Sequence, residues 1–118
     1  MREKVVEDKI KDYLFKHGIY HFKVHGSKFM PSGIADIISC VNGHFVGIEV
    51  KRPGAKREQS EQQKVHERNV KKSGGIYILA DCLEDVTNVI EPLLKETKDE
   101  SIDNRNWRRR FGYGSLEG

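Results

Sequence analysis

The spacing of apolar residues changes along the chain and predicts the order of its secondary structure. Between residues 2 and 17 apolar side chains recur every three or four positions, which is typical of a helix with one buried face, and a glycine follows as a stop. Residues 19–25 alternate instead. We therefore expect a strand that buries Tyr20, Phe22 and Val24 on one face and presents basic residues on the other.

Two more apolar runs, residues 34–41 and 44–51, flank an Asn-Gly dipeptide that begins at position 42. Asn-Gly is the strongest short-range signal for a tight hairpin, because both central positions of a type I′ turn need positive φ. The two runs are thus expected to pair as antiparallel strands. Counting outward from the turn places Asp36 opposite Glu49.

A polar loop then leads to a helix from about Ser60, because Ser60 and Gln63 have the spacing of a capping box, and a Gly-Gly pair ends it. The apolar residues 76–80 predict a short strand that is buried on both faces and central in the sheet. Asp81 is expected to cap a last amphipathic helix, which Pro92 would kink or split. The order αβββαβα predicts an α/β fold with a mixed sheet flanked by helices.

The length of 118 residues is that of one domain, which we place at residues 1–96. Residues 97–118 are polar, basic and without periodicity, so we expect this tail to be poorly ordered or docked on a partner. Within it, Trp107 stands among arginines and could stack on unpaired bases, contact a second copy of the chain or have no role.

Charge and cysteine usage limit the classes of function. The formal net charge is only +3, but from Lys51 to Lys72 eight basic residues stand against three acidic ones. Such a surface suits a polyanion, although a solvated helix face explains such runs as often. Cys40 and Cys82 have no metal-binding spacing, so we interpret both as reduced core residues. We find no signal peptide or membrane span and expect a cytoplasmic protein.

The most informative residues are acids inside apolar strands. Asp36 and Glu49 stand in otherwise apolar runs, and a buried carboxylate is costly unless a cation neutralises it. Two converging carboxylates favour a hard divalent ion, Mg²⁺ or Mn²⁺, to which the backbone carbonyl of Val50 could add a third oxygen. Lys51 projects from the same strand face as Glu49 and could hold an attacking water or offset developing charge. The alternative is a surface Glu/Lys pair on an edge strand.

These residues resemble a known family. Asp36 followed by Glu49-Val50-Lys51 on the next strand resembles the core of the PD-(D/E)xK nucleases, and the motifs SGIADI, GIEVKRPG, SEQQ and GG resemble its VRR-NUC branch over roughly residues 3–95. The resemblance implies a restriction-endonuclease-like core and a metal-dependent, structure-specific DNA endonuclease. It also implies a bacterial or phage homodimer, similar to Holliday junction resolvases, that nicks branched DNA such as four-way junctions.

The resemblance further implies roles for individual residues. These are metal ligand for Asp36 and Glu49, catalytic lysine for Lys51, active-site glutamine for Gln63 and first-helix acid for Glu7. The chain itself supports two of them, because helical spacing places Glu7 and Gln63 on inward faces. Glu7 could equally serve the helix dipole or the surface, and Gln63 could act in the capping box as well. Ala35 stands where the family has a proline, which shapes the backbone there and does no chemistry.

Several basic residues are candidates for contacts with DNA phosphates, which are sequence-independent and salt-sensitive. They are Lys23, Lys28, Arg52, Lys56 and Arg57. The spacing of His21 and His25 on one strand is poor for zinc, so we favour a DNA-facing or solvated role. Two other functions stay open: a repair or restriction-type nuclease acting on flaps or linear DNA, and a non-catalytic DNA-binding module. We expect no small-molecule cofactor and no membrane partner.

Overall fold

A computed structural model of the protein describes residues 2–96. Its elements are, in chain order, the helix α1 (Glu3–Lys16), the strands β1 (Tyr20–Lys23), β2 (Ile37–Val41) and β3 (His44–Val50), the helix α2 (Glu61–Lys72), the strand β4 (Ile76–Ala80) and the helix α3 (Leu83–Leu94). One turn of 3₁₀-helix, Lys56–Glu58, precedes α2. The predicted order of helices and strands is confirmed. The predicted tail, residues 97–118 with Trp107, lies outside the described residues.

The four strands form one mixed sheet in the order β1-β2-β3-β4. The first three strands are antiparallel neighbours, whereas β4 runs parallel to β3 and is reached through the crossover helix α2. The connection between β2 and β3 is the predicted Asn-Gly hairpin, with φ of 51° at Asn42 and 89° at Gly43. It pairs Ile37 with Ile48, which is the predicted register.

Helices cover the two faces of the sheet unequally. On one face, α1 and α3 bury the main core, whose fully buried large side chains include Ile10, Leu14, Ile37, Ile48 and Ile90. On the other face, α2 packs over β4, where Val70 and Tyr77 form a small second core together with Ala35. The part of that second face formed by β1 and β2 has no helix over it in residues 2–96. We call this part the open half-face.

The predicted orientation of β1 is wrong. Tyr20 and Phe22 are 72% and 47% exposed and lie on the open half-face. Lys23 is paired with the fully buried Ile37 and therefore lies on the face that α1 and α3 cover. Alternation along a strand defines two faces, but the positions of the helices decide which of them is buried.

Two further expectations about burial are wrong. The strand β4 is not central but forms one end of the sheet, and its apolar sequence reflects the helices α2 and α3, which contact it. Cys40 and Cys82 are free thiols, but both are exposed rather than part of the core. Cys40 lies on the open half-face, opposite Tyr20, and Cys82 stands at the start of α3.

The start of α3 also differs from the prediction by one residue. Cys82 occupies the N-cap position without a side-chain cap, and Asp81 instead accepts a hydrogen bond from Gly54 N at 3.0 Å. The helix continues through Pro92 to Leu94, so it is not split. Within residues 2–96, no helix combines the length and apolar character that crossing a bilayer requires.

Candidate active site

The hairpin brings Asp36 and Glu49 together at one end of the sheet. Ile37 and Ile48 are cross-strand partners, so Asp36 and Glu49 flank the next position of the ladder. The Asp36 carboxylate holds this end closed, because Val50 N donates a hydrogen bond to Asp36 Oδ2 at 2.7 Å. The strand β3 lies between β2 and β4, and Glu49 is only 3% exposed. The alternative of a surface pair on an edge strand is therefore wrong.

The two oxygens of the Glu49 carboxylate have different surroundings. Gln63 Nε2 donates to Glu49 Oε2 at 2.5 Å, and Lys51 Nζ lies 3.7 Å from the same oxygen. The other oxygen, Oε1, is buried and has no hydrogen-bond partner among residues 2–96. An unpaired buried polar atom costs roughly 1–3 kcal/mol, so it needs an explanation.

Gln63 joins the start of α2 to this carboxylate. Its side-chain Oε1 accepts from Ser60 N at 2.8 Å, and its backbone N donates to Ser60 Oγ at 3.1 Å, which together make the predicted capping box. The same Oε1 accepts from Lys51 Nζ at 3.1 Å. The side chain of Gln63 is therefore fixed on both sides, and it takes part in the cap and in the site at once.

A tight backbone contact places the loop before β2 against α2. Gly33 has φ of +83°, and a Cβ at this position would lie 2.5 Å from the backbone carbon of Gln62 and 2.7 Å from Gln63 N. Only glycine fits such an approach. The loop that leads to Asp36 is thus packed directly on the backbone of Gln62 and Gln63 in the first turn of α2.

The pKa values of both acids of the site are raised in the folded protein. Burial and the neighbouring Asp36 carboxylate raise the pKa of Glu49 to about 8, against the opposing effect of Lys51. Burial also raises the pKa of Asp36, and the hydrogen bond from Val50 N offsets this only in part. When both carboxylates are ionised they repel each other, so a cation bound between them would be stabilising.

The donor set at this point suits a hard divalent cation. Glu49 offers a buried oxygen without a partner, and Asp36 offers the oxygen that Val50 N does not use. Carboxylate oxygens are the ligands that Mg²⁺ and Mn²⁺ prefer. The residues present therefore fit such an ion, and the Val50 carbonyl stays a predicted third ligand.

Glu7 lies beside this pair but is already bound. It is 7% exposed on the inner side of α1, where Lys23 of β1 contacts its Oε1 and Lys11 Nζ lies 3.5 Å from its Oε2. Burial alone would raise the pKa of Glu7, but the two lysines together lower it. Lys23, a predicted phosphate contact, is thus partly buried and paired with an acid.

The other predicted phosphate contacts divide into two groups. Arg52 is paired with Glu58 at 2.5 Å, and Lys56 is paired with Asp85 at 2.8 Å. Lys28 and Arg57 are exposed and form no ion pair within residues 2–96. Lys28 lies over the ring of Phe29, 5.2 Å from its centroid.

Another group of potential metal ligands escaped the sequence reasoning. Asp81, Cys82 and Asp85 offer ligand atoms that all lie within 4.8 Å of one another. Its acids are engaged, because Lys56 Nζ contacts both, at 3.8 Å and 2.8 Å, and backbone amides of Gly54 and Asp81 donate to them. These contacts anchor the loop after β3 to the start of α3. The signal in the sequence was only Asp-Cys at a strand end with an acid four residues later.

The described contacts define a candidate active site of Asp36, Glu49, Lys51 and Gln63, with Glu7 and Lys23 beside it. The site has two acids, which together favour a cation. Beside them the ammonium group of Lys51 and the amide of Gln63 are held in fixed positions. No protein-family model, curated protein or solved structure matches the chain.

Proposed function

We propose that the protein is a metal-dependent DNA endonuclease of the PD-(D/E)xK type, with a restriction-endonuclease-like core and a site of the VRR-NUC kind. The observation that carries the proposal is the buried Glu49 carboxylate, which adjoins Asp36 and keeps one oxygen without a partner in residues 2–96. Plain structural packing gives no reason for a bare carboxylate oxygen at the end of a strand.

Asp36 and Glu49 would hold one Mg²⁺ or Mn²⁺, with the Val50 carbonyl as the third protein ligand. When bound, such an ion polarises a phosphoryl oxygen and lowers the pKa of a bound water. The burial of Glu49 keeps bulk water from competing for its oxygen.

Lys51 has one N–H donor left with which to contact the reacting groups. Two of the three donors on its Nζ are directed to Gln63 Oε1 at 3.1 Å and to the Glu58 carbonyl at 3.3 Å. The remaining donor can hold an attacking water or stabilise charge on a phosphoryl oxygen. Gln63 is a positioning residue in this scheme, because it holds both Glu49 and Lys51.

DNA is the substrate that the charge distribution favours. Lys28 and Arg57 are exposed and are the first candidates for phosphate contacts. Arg52 and Lys56 could contact phosphates only in competition with Glu58 and Asp85, so their contribution is expected to be smaller. Phosphate contacts of this kind predict binding that weakens as salt rises.

The open half-face supports a homodimer. Tyr20 pairs with Cys40 and Phe22 with Ile38, and Phe45 lies opposite Cys40, so these side chains form adjoining rows on one face. Tyr20, Phe22 and Phe45 are exposed. Aromatic residues clustered on a surface are typical of protein interfaces. A second copy seated there would provide the two cuts that symmetric resolution of a four-way junction requires.

Cleavage of labelled DNA tests this function. A four-way junction, a flap, a linear duplex and a single strand are incubated with Mg²⁺ or with a chelator, using the wild type, Glu49→Ala and Lys51→Ala. We expect metal-dependent cutting of the junction by the wild type, with Lys51→Ala keeping binding and losing cutting. Undiminished cutting by either variant contradicts the site.

The same panel separates the two alternatives. Preferred cutting of flaps or linear duplex would favour a repair or restriction-type nuclease. Binding without cutting, in Mg²⁺ and in Mn²⁺, would favour a non-catalytic DNA-binding module. The buried Glu49 carboxylate beside Asp36 argues against that module, since DNA binding alone gives no use for it.

A further inference from the structure

Glu7 and Glu49 are both buried acids near Asp36, but they differ in their partners. Both oxygens of Glu7 face cations: Oε1 contacts Lys23 Nζ, and Oε2 lies 3.5 Å from Lys11 Nζ. In contrast, Oε1 of Glu49 has no partner among residues 2–96. The protein therefore supplies a cation to both oxygens of Glu7, whereas Lys51 lies near only Oε2 of Glu49 and leaves Oε1 without a partner.

The ammonium of Lys23 belongs to the site as well as to Glu7. Lys23 lies at the end of β1 and Glu7 on α1, and their contact joins the two elements over the edge of the sheet. Lys23 acts favourably on the Asp36 carboxylate through its charge, and Glu7 acts unfavourably on it. Both groups are thus electrostatic neighbours of Asp36, one of the two proposed metal ligands.

Glu7 does not join Asp36 and Glu49 in a common ligand set. Within residues 2–96, the one group of three such side chains with ligand atoms mutually within 4.8 Å is Asp81, Cys82 and Asp85. A second divalent ion between Glu7 and Asp36 would have to displace the Lys23 ammonium or lie against it. Repulsion between an ion of charge two and a half-buried ammonium disfavours that state.

We propose that Lys23 acts as a built-in cation that removes Glu7 from the ligand set, so that each chain binds one divalent ion, at Asp36 and Glu49. This inference rests on the proposed function. It assigns Lys23 a task different from a phosphate contact, and Glu7 the task of holding that lysine. Replacing Lys23 by a neutral side chain frees Glu7 to bind a second ion together with Asp36.

The simpler view is that the Glu7–Lys23 pair only ties α1 to β1. In that view, a neutral replacement of Lys23 lowers stability and leaves the number of bound ions unchanged. The two views therefore differ in one measurable quantity, which is whether a Lys23 variant binds an additional ion that requires Glu7.

The test is the stoichiometry of Mn²⁺ bound to the full chain, measured by electron paramagnetic resonance of free Mn²⁺ and by calorimetry. The variants are Lys23→Met, Lys23→Gln and the double variant Glu7→Gln with Lys23→Met, and Lys11→Met is the matched control. Lys11 also contacts Glu7, but from the same helix, four residues further along it. Two neutral replacements of Lys23 keep the test readable should one of them fail to fold.

We expect the wild type and Lys11→Met to bind one Mn²⁺ that Glu49→Ala abolishes. Lys23→Met and Lys23→Gln are expected to bind a second ion, and the added Glu7→Gln change to remove it again. One ion in the folded Lys23 variants, or two in the wild type, overturns the inference and leaves the proposed function standing. No ion dependent on Glu49 in the wild type contradicts the proposed function itself.

Discussion

Gln63 Nε2 donates a hydrogen bond to Glu49 Oε2 at 2.5 Å, across the boundary between α2 and the sheet. Through this contact the first turn of a helix fixes a buried acid near the end of β3. The oxygen of the same side-chain amide accepts from Ser60 N and so completes the capping box. The stability of α2 and the geometry of the candidate site therefore share one side chain, and single substitutions can separate the two contributions.

Gln63→Ala is expected to affect both stability and cleavage, whereas Ser60→Ala affects stability alone. Each variant loses one of the two hydrogen bonds of the capping box, which costs about 1 kcal/mol. Gln63→Ala also releases Glu49 and Lys51, and we expect it to lower the rate of DNA cleavage by about 10²-fold. Urea unfolding and single-turnover cleavage measure the two effects. Equal cleavage rates in the two variants, both folded, would contradict the positioning role.

Gly33→Ala is expected to disrupt the site through the backbone. The new Cβ would lie 2.5 Å from the Gln62 backbone, whereas at Gly54, with nearly the same φ of +82°, it would meet nothing within 4 Å. The strained φ costs each variant about 1 kcal/mol, and the clash at position 33 adds about 1–3 kcal/mol more. Thermal unfolding compares the two variants directly. A Gly33→Ala protein as stable as Gly54→Ala would show that this contact is not needed.

The raised pKa of Glu49 predicts how stability depends on pH without metal. The folded state disfavours the ionised form of Glu49. The resulting loss of free energy of unfolding is therefore absent at pH values below the ordinary pKa of 4.5 and fully present at pH values above about 8. A difference of one in pKa corresponds to about 1.4 kcal/mol, so the effect amounts to a few kcal/mol. Asp36 acts in the same direction, and Glu7, with its lowered pKa, in the opposite one.

Glu49→Gln isolates this contribution, because it removes the charge and keeps the shape. In a chelator, the wild type is expected to lose stability relative to Glu49→Gln as the pH rises from 5 to 9, as measured by urea unfolding. Parallel pH profiles of the two proteins would mean that Glu49 is not held in a setting that opposes its charge.

Phe22→Glu is expected to convert the proposed dimer into a monomer. Phe22 lies on the open half-face in the row of Ile38, and a charge there would oppose burial against a second copy. Phe15→Glu is the control, because Phe15 is an exposed aromatic residue of α1, away from the open half-face. Light scattering at micromolar concentration measures the mass. A monomeric wild type, or a dimeric Phe22→Glu protein, would count against this interface.

The parts of the fold that could be predicted from sequence depend on short-range rules. The Asn-Gly turn fixes the register of β2 and β3, and with it the approach of Asp36 to Glu49, because only a few turn geometries fit two central residues. The spacing of Ser60 and Gln63 likewise predicts the start of α2, because the capping box consists of local hydrogen bonds. These signals require no knowledge of how distant elements pack.

Most of the errors concern burial, which depends on where the helices lie. The alternation in β1 gave no indication that α1 and α3 would cover the face of Lys23 and leave Tyr20 and Phe22 open. The apolar sequence of β4 reflects helices on both of its faces, and the prediction that β4 is central in the sheet is wrong. Likewise, the pairing of Lys23 with Glu7 joins residues sixteen positions apart on different elements, and no local pattern predicts it.

Mn²⁺ in a crystal of the protein, located by its anomalous scattering, tests most directly whether the two acids bind a metal ion. We predict a peak between Asp36 and Glu49, in contact with Glu49 Oε1. An empty position between these carboxylates, with Mn²⁺ bound instead only at Asp81 and Asp85 or nowhere on the chain, would contradict the nuclease assignment.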